Sequence, residues 1–207
     1  RLRKKIKVEI IVEYTEVDAN LTDFPVYVDM SDLGSNFFSH TNSGCADVRV
    51  KESDGSTEVP REIVACDTTA ETGELHFKAS SLSSSFDTDF YIYYGTGDSD
   101  YARDATYGLE NVWTNDYVGV WHLEEDPGPG GSGDIIDSTN QTNHGTAEAS
   151  MTSADSVTGV MGNAIEFDGS DDLIDLGNPS ILDFSTGDWS VETWHTISSG
   201  ISQETLY

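Results

Sequence analysis

Short runs in which apolar and polar residues alternate, each bounded by Gly, Asp, Asn or Ser, recur along the chain, and helical periodicity is almost absent. A side-chain period of two places alternate residues on opposite faces of an extended strand, so the pattern predicts an all-β fold. "IKVEIIVE" puts Ile6, Val8, Ile10 and Val12 on one face, and "FPVYVDM" does the same with Phe24, Val26, Val28 and Met30. "ELHFKA" aligns Leu75, Phe77 and Ala79. "DFYIYYG" sets Phe90, Ile92 and Tyr94 toward a core and leaves Tyr91 and Tyr93 on the other side. The pattern breaks at "GTGDSDYARDATYGLEN", where small and acidic residues predict a linker. A glycine-rich loop, "EEDPGPGGSGD", follows at 124–134.

With 207 residues the chain can form two modest domains or one large β-domain. Its formal charge of −28 disfavours nucleic acid and anionic membrane surfaces as partners, because phosphate would be repelled at nearly every approach, and no nucleic-acid partner is expected. No run approaches the ~20 apolar residues of a membrane helix, so no membrane insertion is expected. Half of the ten basic residues crowd into "RLRKKIK", which reads as a charged first strand or as a basic anchor for an acidic partner. A surface this acidic also suits high salt, where carboxylate repulsion is screened over a short Debye length. The chain opens on an arginine and carries no signal-peptide pattern. An upstream segment is therefore expected to have been removed or to be missing; export and a cut terminus both account for it.

The two cysteines supply a geometric expectation. "CADVRVKESDGSTEVPREIVAC" reads as a hairpin turning at Asp54-Gly55-Ser56-Thr57. A register in which partner numbers sum to 111 sets Val48 opposite Ile63, Arg49 opposite Glu62 and Cys45 opposite Cys66. This predicts a Cys45–Cys66 disulfide with a Cα separation of about 4.4–6.8 Å. The alternative is a pair of reduced thiols in a cytosolic domain. A disulfide favours an oxidising, extracellular setting.

Three ordered blocks, "LTDFPVYVDMSDL", "DVRVKESDGSTEVPREI" and "SSLSSSFDTDFYIYYG", resemble a β-sandwich domain of unknown function found in bacterial, archaeal and phage surface proteins. The hallmark of that family is a "PSLSSS…IYLYYG" ending. Further on, "VGVWHLEE", "IIDSTNQTNHGTAEA", "GVMGNAIEFDGSDDLIDLGN" and "WSVETWHTI" resemble the start of a concanavalin A-like, laminin-G-type jelly roll. The resemblances imply an all-β chain made of an N-terminal antiparallel β-sandwich (1–97), a linker (98–112) and a jelly roll (113–207). A full jelly roll of this type is longer than the stretch after Val112. Its remaining strands are therefore expected to have been removed, to lie beyond Tyr207 or to come from another molecule.

Candidate sites are few. "NAIEFDGSDDLIDLGN" (163–178) is dense in aspartate, and pairing Phe167 with Ile174 and Ile165 with Leu176 makes it a hairpin with the turn "DGSDD". Asp and Gly suit such a turn, and the spacing departs from the D-x-D-x-D-G calcium loop, so this stretch reads as architecture. "DSTNQTNHG" (137–145) is the better calcium candidate, because short oxygen-bearing side chains are what that ion prefers. Laminin-G-type relatives carry a similar loop, and some hold calcium near it. The resemblance therefore implies Asp137, Asn140 and Asn143 as ligands, against the alternative of an Asx loop bonded to itself.

His40, His76, His122, His144 and His195 are scattered, with no H-x-x-x-H pair, so no zinc site is expected. No G-x-S-x-G elbow appears, and nothing matches the E-x-D-x-x-E carboxylates of related glycosidases. "LEEDPG" is the nearest acidic run, and its proline and glycine make it a loop without the rigid carboxylate pair that retaining hydrolysis needs. The chain therefore reads as no enzyme. Trp113, Trp121, Trp189 and Trp194 are each either core or sugar-stacking residues. "NLT" (20–22) and "NQT" (140–142) are glycosylation sequons, informative in a glycosylating host.

Together these features predict a non-catalytic protein of the extracellular space, cell surface or virion that recognises a glycan or cell-surface ligand. Two alternatives stand beside that reading. One is a structural subunit of a filament, sheath or phage fibre that pairs with copies of itself by strand or edge complementation. The other is an accessory module of a larger polysaccharide-degrading enzyme.

Overall fold

The computed structural model describes residues 6–128, 133–148, 150–160 and 162–196. The fold is all-β, with antiparallel sheets and a single five-residue helix among the described residues. The elements in chain order are β1 (Ile6–Val12), β2 (Leu21–Asp29), α1 (Gly34–Phe38), β3 (Arg49–Glu52), β4 (Glu58–Val59), β5 (Arg61–Asp67), β6 (Thr72–Leu82) and β7 (Thr88–Tyr94). Four short strands follow: β8 (Thr146–Ala147), β9 (Ser156–Thr158), β10 (Asn163–Ile165) and β11 (Ile174–Asp175). No helix among the described residues is long and apolar enough to cross a membrane.

Two sheets, ordered β1-β7-β3-β4 and β2-β6-β5, share one core. Alternation places it where expected: Leu75, Phe77 and Ala79 from β6 and Phe90 and Ile92 from β7 are fully buried. The Phe77 and Phe90 rings meet across the core with centroids 4.7 Å apart. Ile6, Val8, Ile10 and Val12 of β1 pack against the same cluster, half-buried on one edge. Phe24 does not join it and stays exposed near the start of β2. Outside the core, Lys7 lies 3.5 Å from the Tyr91 ring centroid, so this member of the basic run serves the first strand. Arg1, Arg3, Lys4 and Lys5 lie outside the described residues.

The predicted Cys45–Cys66 disulfide is present, with a Cα separation of 5.9 Å. The hairpin register that suggested it is not. β3 pairs with β4 as Val50↔Val59 and Lys51↔Glu58, two residues out of the expected register, and β5 pairs instead with β6 in the other sheet. Pro60 marks the reason: without an N–H it cannot continue the ladder, and the chain passes from one sheet to the other there. The disulfide therefore joins the turn ahead of β3 to β5, linking the two sheets rather than neighbouring strands of one. Arg49, expected opposite Glu62, instead lies 4.2 Å from the Tyr101 ring centroid and 3.8 Å from Glu58.

Residues 98–112 are fastened down. Arg61, almost wholly buried, donates to Val48 O (3.0 Å) and Ala46 O (3.2 Å) and pairs with Asp100 at 2.6 Å. Arg49 reaches Ser99 O at 2.6 Å, and Tyr101 donates its hydroxyl to Glu58. Asp47 holds the neighbouring loops. Fully buried, it accepts from Thr41 Oγ1 (2.8 Å), Asn42 N (2.9 Å) and Gly97 N (3.1 Å). Burial opposes its charge, but these amide and hydroxyl donors more than offset that and hold its carboxyl below the usual aspartate range. Asp47→Ala should cost about 2 kcal/mol at neutral pH, because it leaves those donors without their acceptor. The folded pKa is lowered, so the contribution is complete above the ordinary value of about 3.9 and fades as pH falls through the folded value. Urea denaturation of parent and variant should accordingly show a gap at pH 7 that narrows at low pH.

The described residues up to Gly177 form one compact unit, and those from Asn178 onward form another. Within the first unit, the expected hairpin at 163–178 does not form. β10 pairs with β9, so Ile165 faces Ser156, and β11 pairs with β8, so Ile174 faces Ala147. The two arms thus pair with separate upstream strands, while the aspartates between them accept hydrogen bonds from backbone amides of their own turn.

Candidate functional site

The outer face of the β2-β6-β5 sheet carries the most concentrated chemistry in the described residues. Because Leu75 and Phe77 point inward, Glu74, His76 and Lys78 of β6 must point outward. The register sets Tyr27 of β2 and Glu62 of β5 on either side of His76, giving a row across three strands. The Tyr27 and His76 ring centroids lie 5.5 Å apart, and burial with nearby Asp29, Glu74 and Asp32 pushes the Tyr27 hydroxyl up to about 12.

Sequence beyond residue 112 covers this face. Trp113 is buried against it, 5.0 Å from the His76 ring and 5.7 Å from the His122 ring, and donates Nε1–H to Glu62 Oε2 at 2.6 Å. Ser138 donates its hydroxyl to Glu62 Oε1 at 2.5 Å, and His122 Nε2 lies 3.2 Å from Glu62 Oε2. Lys78 reaches Thr114 Oγ1 at 3.1 Å. Glu62 is only 4% exposed, and all three groups that hold its carboxylate come from the later segment.

Electrostatics reinforce the arrangement. Burial alone would raise the Glu62 carboxyl, yet His122, by hydrogen bond and charge, and then Ser138 and Trp113 bring it below the ordinary glutamate range. Burial likewise opposes charging His122, but Glu62, Glu74 and Glu125 raise the imidazole above its usual value. His122 thus bridges two carboxylates, with Nδ1 lying 3.6 Å from Glu74 Oε1. His76 Nε2 lies 2.7 Å from the same Glu74 oxygen. Glu74, His76 and His122 each bring a ligand atom within 4.8 Å of the others, a grouping able to hold a metal ion. Beside them Glu125 accepts from Ile136 N at 3.0 Å through Oε1, while its buried Oε2 has no hydrogen-bond partner among the described residues.

The residues expected to bind calcium lie elsewhere. Asp137 is fully buried, and its carboxylate accepts four hydrogen bonds: from Val120 N and Thr139 N at Oδ1, and from Thr139 Oγ1 and Asn143 N at Oδ2. The Asn143 side chain donates to Val118 O, and Asn140 is exposed and bonded to Gln141. The loop is bonded to itself and to residues 118–120, and its three candidate side chains point to separate partners. A second acidic grouping, Asp168, Asp171 and Asp172, forms in the "DGSDD" turn at the surface.

Nothing matches the chain among family models, curated proteins or solved structures. The Glu62–His122 cluster was missed because its members lie up to 76 residues apart and no motif links them. One signal was present. Outward-facing Glu74 and His76 on a central strand, followed later by Trp113, form a polar face that an aromatic can close.

Proposed function

We propose that the chain is a non-catalytic recognition or adhesion protein acting outside the cell, on a cell surface or on a virion, with a β-sandwich module that presents a laminin-G-type module to neutral glycans. The observation that carries this reading is the exposure of two indoles, Trp189 at 61% and Trp194 at 91%. Trp189 is stacked on Phe184 with ring centroids 5.5 Å apart, so it offers a supported flat apolar face of the kind that the C–H faces of sugars cover. The charge of −28 favours neutral over sulfated or phosphorylated sugars. The disulfide supports an oxidising compartment. Calcium at the 137–143 loop would have to replace four internal hydrogen bonds of Asp137, so the binding is expected to be calcium-independent.

A glycan array probed with the full chain tests the reading. Binding to neutral glycans, weakened at least about tenfold by Trp189→Ala, is expected, since losing one buried aromatic contact is worth more than 1.4 kcal/mol. No binding above background would overturn it. A second reading, a structural subunit assembling by strand complementation, is favoured by the position of β1 at the edge of its sheet, paired with β7 on one side. Ordered polymers in sedimentation would select that reading; monomers would remove it.

A further inference from the structure

We propose that Glu74, His76 and His122 form a binding site for a divalent transition metal of the zinc class, an ion that would clamp the segment after residue 112 onto the β2-β6-β5 sheet. The inference is independent of glycan recognition and rests on geometry. Ligands around tetrahedral zinc, at bond lengths near 2.0–2.2 Å, lie about 3.3 Å from one another. Glu74 Oε1 is 2.7 Å from His76 Nε2 and 3.6 Å from His122 Nδ1, distances that bracket this value. Small rotations about the side-chain bonds would equalise them. The three side chains are no more than 15% exposed, so they are held by their surroundings and need little ordering to bind.

Glu62 supplies the second, independent observation. A metal-binding imidazole commonly donates its other ring N–H to a carboxylate, which fixes the tautomer and aims the ligating nitrogen. Glu62 stands in that relation to His122. It accepts from Nε2, which leaves Nδ1 to face Glu74 and His76. Glu62 is itself held by Trp113 and Ser138 and cannot turn toward the ion without breaking both hydrogen bonds. It is therefore a positioning residue. Two imidazoles and one carboxylate suit zinc and its neighbours, whereas calcium takes an all-oxygen shell. The fourth position falls to water or to an oxygen from outside. One ligand pair comes from β6 and the third ligand from beyond residue 112, so the ion would tie together segments 46 to 48 residues apart, as structural zinc sites do.

Calorimetric titration of the chelator-treated full chain with zinc chloride tests the proposal. One equivalent should bind with micromolar or tighter affinity, without competition from calcium. His76→Gln, on the sheet surface, should weaken binding by more than the ~10–100-fold that loss of an outer partner costs. Replacing Asp168, Asp171 and Asp172 together by asparagine should leave the affinity unchanged. In the unaltered chain, imidazole nitrogen resonances should shift on adding zinc for two histidines only, a readout that does not depend on any variant folding. Absence of one-to-one binding would overturn the site. So would binding that survives His76→Gln or disappears with the aspartate replacements, and so would resonance shifts spread over other histidines.

Discussion

Glu62→Ala should destabilise the chain by about 3–5 kcal/mol, the largest effect expected of any single side chain here, because it removes one partner of a buried, hydrogen-bonded charge pair. Trp113 Nε1–H, Ser138 Oγ–H and His122 would lose their acceptor together. None of them could turn to water without leaving the sheet, and each buried donor left without a partner costs about 1–3 kcal/mol. The damage should also be directional. Glu62 sits on β5, whose inward neighbours belong to a core that does not involve the later segment, whereas all three donors lie beyond residue 112. The variant should therefore loosen residues 113–138 before it melts β1 and β7. Hydrogen exchange read peptide by peptide checks this: protection should fall across 113–138 and persist in β7. Glu62→Gln keeps an oxygen for one or two of the donors and should cost clearly less. An alanine variant within 1 kcal/mol of the parent, with unchanged exchange, would mean that the cluster does not hold the two parts together.

Removing the disulfide by Cys45→Ala with Cys66→Ala should lower stability by about 3 kcal/mol on the chain-entropy estimate for a 21-residue separation. For a chain of this size that corresponds to a fall in melting temperature of about 6–12 °C. Cys45 is fully buried, and the alanines leave a small void beside Val48, so packing adds to the entropic loss rather than opposing it. Scanning calorimetry of the oxidised parent, the reduced parent and the double variant separates the two contributions. The reduced parent should lose most of the difference, and the variant slightly more. A reduced parent as stable as the oxidised one would show that the cross-link adds nothing to a core already closed by Phe77, Phe90 and Leu75.

What could be read from the letters alone was whatever depends on near neighbours. Alternation placed Leu75, Phe77, Phe90 and Ile92 in the core because a strand's two faces follow directly from a period of two. The partner of a strand is a longer-range fact. The 45–66 hairpin was assigned a register by matching side chains, yet Pro60 moves the chain into the other sheet after two residues of β4. The cysteines still meet, because Cys45 sits in the turn ahead of β3 rather than in a strand, and that turn packs directly on β5. The aspartates of 163–178 described their turn well and said nothing of which strands its arms would join. The Glu62 cluster was the least legible feature. Its residues are ordinary outward-facing polar positions until Trp113 and Ser138 arrive from elsewhere in the chain, and only that long-range closure makes them buried.

The position of the disulfide also shapes how the protein would respond to a pull on its ends. Because the disulfide ties Cys45, in the turn ahead of β3, to Cys66 on β5, the segment between them forms a covalent ring that tension cannot open. The Pro60 crossover and the whole of β3 and β4 lie within that ring. A stretched oxidised chain therefore stops about 70 Å short of its reduced length, at roughly 3.3–3.6 Å of contour per residue held back. Mechanical drag can peel β1 or β2 away, but it leaves β3, β4 and most of β5 inside one closed loop.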